Sequence, residues 1–237
     1  LVMSGQHTIY NIFAIVYFHN SEIWGRVDFI YGKALAVYDQ CRIVEIRSTG
    51  GPVGAPNTVK AQPHGLVFLD CDFPRALVAD GYPYDVGVGS STFMRPWGQD
   101  GAMALIRCSI GSQISTKGWS EWDGREATCR VIEHDNTGTA TPAQRRAAGA
   151  YWVNTIDPDY NNNPALAPTD PLLALPNGPN NRTVLDSTIN PEDYTLDAIF
   201  GHSYYGLGAW RPALIPRITT QPTGQAVDAG SPVTLNV

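Results

Sequence analysis

Four short segments of the chain repeat one pattern, in which an apolar, strand-like run is followed by a small residue and then by a polar and an apolar residue. The segments are Val16–Ile23, Ala36–Ile43, Leu66–Phe73 and Ala104–Ile110. Their small residues follow one another at steps of 20, 30 and 37 residues and are Ser21, Cys41, Cys71 and Cys108. Repeats of roughly 20–50 residues are typical of solenoids. Because the steps are unequal, the pattern favours a β-helix, whose coils keep their strands and carry insertions in the turns.

The composition agrees with an all-β fold. The chain has 237 residues, of which 43% are hydrophobic, enough for a single large core. Only 16% are charged, whereas Gly (23) and Pro (18) supply many turns, which favours strands over a helical bundle. A β-sandwich whose strands resemble one another by chance is the alternative. We predict a β-helix with long loops and one or two short helices.

The four cysteines show neither Cys-x-x-Cys spacing nor a nearby histidine in ligand register, so we expect no zinc site. Three of them, Cys41, Cys71 and Cys108, occupy equivalent places in the repeat. Stacked, buried and reduced thiols are therefore a better interpretation than a disulfide framework.

Charge and hydropathy argue against two classes of partner. The net charge is −6 and no run of Lys or Arg occurs, so we expect no nucleic-acid partner. No stretch approaches the roughly 20 apolar residues that span a bilayer, so we expect no membrane association. The chain opens without a start Met and stops inside a strand-like pattern. We therefore interpret it as part of a longer protein whose signal peptide is not included.

The pattern changes after about residue 139. A short helix is predicted over 141–151, with Thr141 as its N-cap and Pro142 at its first position. The following segment, 157–182, is rich in Asn and Pro and predicts a long irregular loop. A second short helix is predicted over Glu192–Phe200 and ends at Gly201.

The last residues favour a separate unit. From residue 215 onward the chain resembles the opening of a bacterial immunoglobulin-like module, and an alternating tail packed on the main domain is the alternative. The predicted division is 1–214 for the β-helix and 215–237 for a linker and the start of that module.

One acidic residue, Asp28, interrupts the otherwise apolar run Gly25–Gly32. Burying a carboxylate without compensation is costly, so this group must be hydrogen-bonded or paired. Groups that are buried in this way often have a chemical role. A structural carboxylate that accepts from backbone N–H groups is the alternative.

Five motifs follow one another along the chain. They are Gln6–Tyr10 (Gln-His-Thr-Ile-Tyr), Gly25–Gly32 (Gly-Arg-Val-Asp-Phe-Ile-Tyr-Gly), Arg95–Trp97 (Arg-Pro-Trp), Gly118–Trp122 (Gly-Trp-Ser-Glu-Trp) and Glu133–Gly138 (Glu-His-Asp-Asn-Thr-Gly). In order and spacing they resemble the motifs of the pectin methylesterase family, over about residues 6–210. The resemblance implies a right-handed parallel β-helix. Family members carry further coils before the first motif, so it also implies that this β-helix is incomplete at its N-terminal end.

The resemblance implies that the site hydrolyses methyl esters of polygalacturonate in pectin (homogalacturonan), without a metal ion or an organic cofactor. Asp28 would attack the ester carbonyl, and Arg95 would keep Asp28 ionised through a charge-assisted hydrogen bond. Three aromatic residues would bind the sugar rings, namely Trp97, Trp119 and Tyr31. Core packing is a competing interpretation for the tryptophans, above all for Trp119.

The first motif carries the remaining two candidates. The resemblance implies that Gln6 donates a hydrogen bond to the oxyanion of the tetrahedral intermediate. At position 7 the family has an Asp that acts as general acid and then as general base, whereas this chain has His7. An imidazole can make both proton transfers, but ~1 Å of misplacement can cost about 10² in rate.

Several interpretations of His7 are open. They are a working His acid/base, a shifted ester or sugar specificity, and a β-helix that binds carbohydrate without catalysis. A related esterase for another acyl ester or thioester is a further alternative. The resemblance implies secretion, from a bacterium, and the coils before Leu1 in the parent chain would complete the groove.

Overall fold

The computed structural model describes residues 1–125, 128–139, 155–156 and 191–201. The strands are β1 (Val2–Met3), β2 (Ile9–Asn11), β3 (Ile15–His19), β4 (Glu22–Gly25), β5 (Ile30–Gly32), β6 (Leu35–Asp39), β7 (Arg42–Glu45), β8 (Pro52–Pro56), β9 (Leu66–Leu69), β10 (Asp72–Phe73), β11 (Thr92–Met94), β12 (Ala102–Ile106), β13 (Ser109–Ile110), β14 (Arg130–His134), β15 (Thr137–Gly138) and β16 (Thr155–Ile156). The helical segments are 3-10 turns at Val78–Asp80 and Pro191–Tyr194 and the helix α1 (Leu196–Phe200).

The strands form three sheets that successive coils build in turn. Sheet 1 has the order β1-β4-β7-β10-β13-β15, sheet 2 the order β11-β8-β5-β2, and sheet 3 the order β16-β14-β12-β9-β6-β3. Every strand pairing within the described residues is parallel and joins neighbouring coils. The predicted parallel β-helix is therefore confirmed. The sandwich alternative is wrong, because sandwiches are built from antiparallel strands.

The repeat seen in the sequence is a repeat of coils. Across sheet 3, Phe18 pairs with Tyr38 and Tyr38 pairs with Phe68. Their rings form a stack through the interior, with centroids 5.0 Å and 4.8 Å apart. Such stacking of like side chains holds neighbouring coils together in addition to the backbone hydrogen bonds.

The three repeat cysteines lie in one column. Cys41, Cys71 and Cys108 form no disulfide and are buried, and Cys129, outside the column, is buried too. Burial raises the pKa of the Cys71 thiol, which keeps it protonated and unreactive. The prediction of stacked, buried, reduced thiols is confirmed.

The column continues into a fifth coil that the four-segment repeat in the sequence did not include. Ser109 pairs with Thr137 in sheet 1, so Asn136 occupies the place that follows Cys108 in the column. Its Oδ1 accepts the backbone N–H of Cys108 at 2.8 Å, and its Nδ2 donates to the carbonyl of Leu105 at 3.3 Å. An amide replaces the small thiol here, which hid the repeat.

The corner between sheet 3 and sheet 1 has the same form in five coils. Two residues separate the strands at each corner, and the first of them has left-handed backbone with φ between 47° and 55°. These residues are Asn20, Gln40, Asp70, Arg107 and Asp135. Such backbone costs a non-glycine residue roughly 1–2 kcal/mol. Hydrogen bonds between stacked corners offset the cost, for example from the Gln40 N–H to the Leu69 carbonyl at 2.9 Å.

The first coil (residues 6–25) is less buried than the second (residues 27–45). Ile15–Phe18 of β3 are half-buried, whereas every residue of β6 is buried. Large apolar side chains exposed at this end are Leu1, Val2, Met3, Tyr10, Ile12 and Phe13. In sheets 2 and 3 the first coil therefore packs against a described neighbour on one side only, whereas in sheet 1 the two-residue strand β1 lies on its other side.

The predicted helix over 192–200 is confirmed in its second half. Pro191–Tyr194 is a 3-10 turn, and α1 begins after Thr195, whose side chain accepts the Ala198 N–H at 3.2 Å. Ile199 and Phe200 of α1 are buried against sheet 3. Of the helices that the structure describes, none is long and apolar enough to cross a membrane. The predicted helix over 141–151, the loop over 157–182 and the boundary at 214/215 lie outside the described residues.

Candidate active site

Asp28 lies in the corner between β4 and β5, with left-handed backbone at φ 49°. Its N–H donates to the carbonyl of Pro52 on the next coil at 2.8 Å. His7 occupies the equivalent corner of the first coil, and it too has positive φ, at 60°. Backbone of this kind aims a side chain in a direction that regular strands do not allow.

The carboxylate of Asp28 is buried and paired with Arg95. The Arg95 Nε lies 3.0 Å and 3.1 Å from the two carboxylate oxygens, and Nη2 lies 2.5 Å from Oδ2. Only 3% of the Asp28 side chain is exposed, against 33% for Arg95. The hydrogen bond to Asp28 raises the pKa of the Arg95 guanidinium. A guanidinium stays protonated in proteins, so these charge-assisted hydrogen bonds hold the Asp28 carboxylate in one orientation.

The register of sheet 2 explains how Arg95 reaches a residue 67 positions earlier. Tyr31 pairs with Ala55, and the Arg95 N–H donates to the carbonyl of Gly54 at 3.1 Å, which places Arg95 opposite Ala55. Ala55 thus separates Arg95 from the coil of Asp28. Its methyl side chain leaves space for the guanidinium to extend across that coil.

Trp122 stacks on the same guanidinium. The Arg95 Cζ lies 4.3 Å from the centre of the Trp122 ring, and the Cζ of Arg125 lies 5.4 Å from it. A cation over an indole face at this distance is attracted to the ring and is held in place by it. Trp122 belongs to the fourth sequence motif, but sequence reasoning gave it no role, because nothing in a single motif shows which residue it will contact.

His7 and Gln6 lie at the open side of the pair. The His7 Nε2 is 3.9 Å from Asp28 Oδ2, too far for a hydrogen bond, and 47% of the His7 side chain is exposed. The Gln6 Nε2 lies 3.5 Å from the same ring nitrogen. The structure therefore brings Gln6, His7, Asp28 and Arg95 together, with the imidazole accessible to a ligand.

Three aromatic rings form a row beside these residues. Tyr10 stacks on Tyr31 with centroids 4.6 Å apart, and the Tyr31 ring lies 6.0 Å from that of Trp97. His7 packs against Tyr31 at 4.7 Å. Tyr31 and Trp97 are half-buried and Tyr10 is exposed, so the row is accessible to solvent. Sequence reasoning missed Tyr10, although it pairs with Tyr31 in sheet 2.

Trp119 does not belong to this row, and its prediction as a sugar-binding residue is wrong. Its side chain is fully buried, its indole N–H donates to Glu133 Oε1 at 2.9 Å, and its ring packs on Phe93 at 5.1 Å. The Phe93 N–H donates to the carbonyl of Gly118, so this segment continues the backbone of sheet 2 with Trp119 facing inward. The core-packing interpretation holds for Trp119.

The profile of the family described as Pectinesterase matches residues 2–160. The chain belongs to the pectinesterase family. A probable pectinesterase/pectinesterase inhibitor 17 of Arabidopsis thaliana is 30% identical over 147 residues, which cover 60% of this chain and 28% of that protein. The chain thus spans little more than a quarter of that relative.

Two solved structures share the fold. The pectin methylesterase from carrot is 25% identical with a TM-score of 0.54, covering 66% of this chain and 49% of its own. A pectin methylesterase in complex with a hexasaccharide is 17% identical with a TM-score of 0.55, covering 90% of this chain and 57% of its own. The second likeness concerns the fold alone.

Proposed function

We propose that this protein is an esterase that hydrolyses methyl esters of homogalacturonan, with Asp28 as its nucleophile. The buried, ionised Asp28–Arg95 pair beside an exposed imidazole is the observation that carries this proposal. Family membership supports the same reaction class, and the row of Tyr10, Tyr31 and Trp97 supports a sugar polymer as ligand, because pyranose rings stack on aromatic faces. The hexasaccharide complex of the related fold agrees with such a ligand.

The first half of the reaction forms an acyl-enzyme. An oxygen of Asp28 attacks the ester carbonyl carbon, and the Gln6 amide donates to the oxyanion that develops there. The bond from carbon to the methoxy oxygen then breaks, and protonated His7 gives its proton to that oxygen, so that methanol leaves. Asp28 and the galacturonate are then joined as a mixed anhydride, while Arg95 stays bound to the other carboxylate oxygen.

The second half of the reaction hydrolyses the acyl-enzyme and regenerates the free enzyme. Neutral His7 takes a proton from a water molecule as the water oxygen attacks the galacturonate carbonyl carbon. The anhydride bond breaks, Asp28 leaves as a carboxylate, and a free galacturonate carboxyl group remains on the polymer. Because Arg95 stabilises the ionised form of Asp28, it favours this departure.

A second function is supported by one departure from the family pattern. His7 stands where the family has an Asp, and a β-helix with a decayed acid/base would bind pectin without hydrolysing it. In that case His7→Asp would create activity that the natural chain lacks. In our proposal, His7→Asp lowers the rate, because a carboxylate is shorter than an imidazole and would misplace the group that transfers the proton.

Methanol release from methyl-esterified pectin tests the proposal. We expect release by the natural chain and loss of release with Asp28→Asn, which keeps the size of the side chain but removes the nucleophilic charge. Retained release with Asp28→Asn would contradict the assignment of the nucleophile. Absence of methanol release by the natural chain would refute the activity.

The polymer also decides where the protein works. Pectin chains are too large to cross a membrane, so hydrolysis of pectin requires an enzyme outside the cell. We therefore propose that the protein is secreted. Detection of the protein in the culture medium rather than in the cell tests this point.

A further inference from the structure

One strand, β8, is bound to both members of the Asp28–Arg95 pair. The Asp28 N–H donates to the carbonyl of Pro52 at 2.8 Å, and the Arg95 N–H donates to the carbonyl of Gly54 at 3.1 Å. β8 pairs with β5 on one side and with β11 on the other, so it lies between the coils of the two residues. The place at which β8 begins therefore sets the position of the nucleophile relative to the guanidinium.

A closely packed turn, Arg47–Gly50, leads into β8. The Gly50 N–H donates to the carbonyl of Arg47 at 2.7 Å, and the Arg47 Nη1 donates to the carbonyl of Gly50 at 3.3 Å. Gly50 has a positive φ of 66°, and a Cβ atom there would lie 2.2 Å from the carbonyl oxygen of Ser90 on the next coil. Because the turn has so little free space, a displacement of Arg47 is passed on to Pro52.

Glu45, the last residue of β7, holds the start of this turn. It is buried, and its Oε1 accepts the Arg47 backbone N–H at 2.8 Å. Side chains alternate along a strand, and Ile43 belongs to the main core, so the Glu45 side chain points to the interior. Its Oε2 is buried and has no hydrogen-bond partner within the described residues. Glu45 is thus a buried acid whose hydrogen bond fixes the backbone in front of β8.

The surroundings of Glu45 favour its uncharged form. Burial raises the pKa of Glu45 to about 9, although Arg47 on the same coil and Arg26 on the coil before act in the opposite direction. The loop after β10 adds Tyr82, which packs outside the sheet, and Arg75, which donates to a backbone carbonyl of the same loop. At neutral pH the Glu45 carboxyl group is therefore protonated.

The protonated form suits the turn better than the charged form. An uncharged carboxyl group accepts the Arg47 N–H and leaves the Arg47 side chain bound to the carbonyl of Gly50. A buried carboxylate is costly, and it would attract the nearby guanidinium away from Gly50. Loss of the proton would therefore loosen the turn that Glu45 holds.

We propose that Glu45 is a positioning residue for the nucleophile, an uncharged hydrogen-bond acceptor that fixes the turn from which β8 holds Asp28 and Arg95. The proposal rests on the function proposed above and adds to it a residue that touches neither the substrate nor the reacting atoms. Because the residue is an acid rather than a glutamine, the geometry of the nucleophile also depends on pH.

Two substitutions at this position separate the acceptor from the charge. Glu45→Gln keeps an acceptor of the same size and cannot ionise, so we expect it to retain the kcat of the natural chain at pH 7. Glu45→Ala removes the acceptor and is expected to lower kcat by about 10², since ~1 Å of misplacement costs about that much. The loss is expected in kcat rather than KM, because Glu45 does not contact the polymer.

The pH profile tests the role of the proton. We expect kcat/KM of the natural chain, divided by that of Glu45→Gln, to be constant near neutral pH and to fall to about half at about pH 9. The division removes the contribution of His7, which both chains share. A ratio that stays constant through pH 9 would overturn the dependence on the Glu45 proton. This comparison does not depend on the folding of Glu45→Ala.

The backbone amide resonance of Asp28 in NMR spectra of 15N-labelled protein reports on the corner without requiring activity. We expect Glu45→Ala to shift this resonance and Glu45→Gln to leave it in place. An unmoved resonance in Glu45→Ala would overturn the positioning role, whether or not methanol is released. A shifted resonance in Glu45→Ala, when the natural chain releases no methanol, would support the positioning of Asp28 and refute the esterase.

Gln113→Ala is the matched control. Gln113 is also buried and holds the same corner two coils further along, where its Nε2 donates to the carbonyl of Phe73 at 2.8 Å. Its removal is expected to lower stability but to leave the Asp28 resonance unchanged. Equal shifts of that resonance in Gln113→Ala and Glu45→Ala would show a general loss of packing and would overturn the role of Glu45.

Discussion

The first and second coils carry the two halves of one site but are packed very differently. Gln6 and His7 lie on the first coil, whose sheet 3 strand is half-buried. Asp28 opens the second coil, whose sheet 3 strand is fully buried between neighbours. The charged pair is thus built into the more buried part of the β-helix. The groups that we propose to move protons and to donate to the oxyanion lie on the less buried part.

Replacing the charged groups of the two halves tests this division most strongly. We expect both Arg95→Gln and His7→Ala to lower kcat by about 10²–10⁴. Only Arg95→Gln should also lower the free energy of unfolding, by about 2 kcal/mol, because it leaves the buried Asp28 carboxylate short of donors. His7 is half-exposed, so its removal should change stability by less than about 0.5 kcal/mol.

Kinetics of methanol release and urea unfolding of the same samples measure both effects. Equal losses of stability in the two variants would show that the first coil holds His7 as tightly as the second holds Asp28. The difference between the coils would then have no bearing on the site.

Truncating matched members of the aromatic stack tests the packing directly. Phe68→Ala removes a fully buried ring and should cost about 3–5 kcal/mol. Phe18→Ala removes its half-buried counterpart on the first coil and should cost about 1–2 kcal/mol. Denaturant unfolding of both variants gives the comparison, and a cost for Phe18→Ala equal to that for Phe68→Ala would contradict it.

The two coils also differ in that the second carries a buried acid, Glu45, whereas the residue paired with it on the first coil is Gly25. The pKa of Glu45 is raised to about 9 in the folded protein, against about 4.3 in an unfolded chain. The folded state therefore holds the proton more tightly. The stability that this proton supplies is complete below about pH 4.3 and is lost as the pH rises towards about 9.

Glu45→Gln mimics the protonated form and should remove this dependence. Relative to Glu45→Gln, the natural chain should lose on the order of 2–4 kcal/mol of unfolding free energy between acid and neutral pH. Unfolding curves of both proteins at matched pH values measure the difference. Parallel pH profiles for the two proteins would show that Glu45 titrates normally.

The smallest expected effect concerns Trp122, which stacks on Arg95. Trp122→Leu should lower kcat/KM by about 3–10-fold, since an exposed to half-buried cation–π contact is worth about 0.5–2 kcal/mol. Trp122→Phe, which retains an aromatic face, should restore much of the loss. If Leu and Phe at this position behave alike, Trp122 acts by bulk alone and does not orient the guanidinium.

The coil repeat and the pairing of Asp28 with Arg95 could be predicted from sequence, because both are recorded in local patterns. The alternation around Ser21, Cys41, Cys71 and Cys108 records which positions stack, and the family motifs place Asp28 and Arg95. The sequence could not show the direction of a side chain outside a regular strand. For this reason the prediction for Trp119 was wrong, since its side chain faces the interior.

Contacts between residues on different coils could not be predicted from the sequence either. Trp122 and Arg95 are 27 positions apart in the chain, and only the stacking of coils brings them into contact. The coil of Asn136 was not recognised as part of the sequence repeat, because an amide that makes its own hydrogen bonds stands there in place of a thiol. Such contacts follow from coil register, which the sequence fixes only where like residues recur.

The corner between sheets 3 and 1 has the same length, two residues, in the five coils that the structure describes. The connections between strands therefore differ in length only at the other two corners, between sheets 1 and 2 and between sheets 2 and 3. Asp28 and the turn of Arg47 occupy one of those corners. Loops of new length can therefore be exchanged around the site without shifting the register of the strands behind it, which makes that corner the natural place to re-engineer ligand preference.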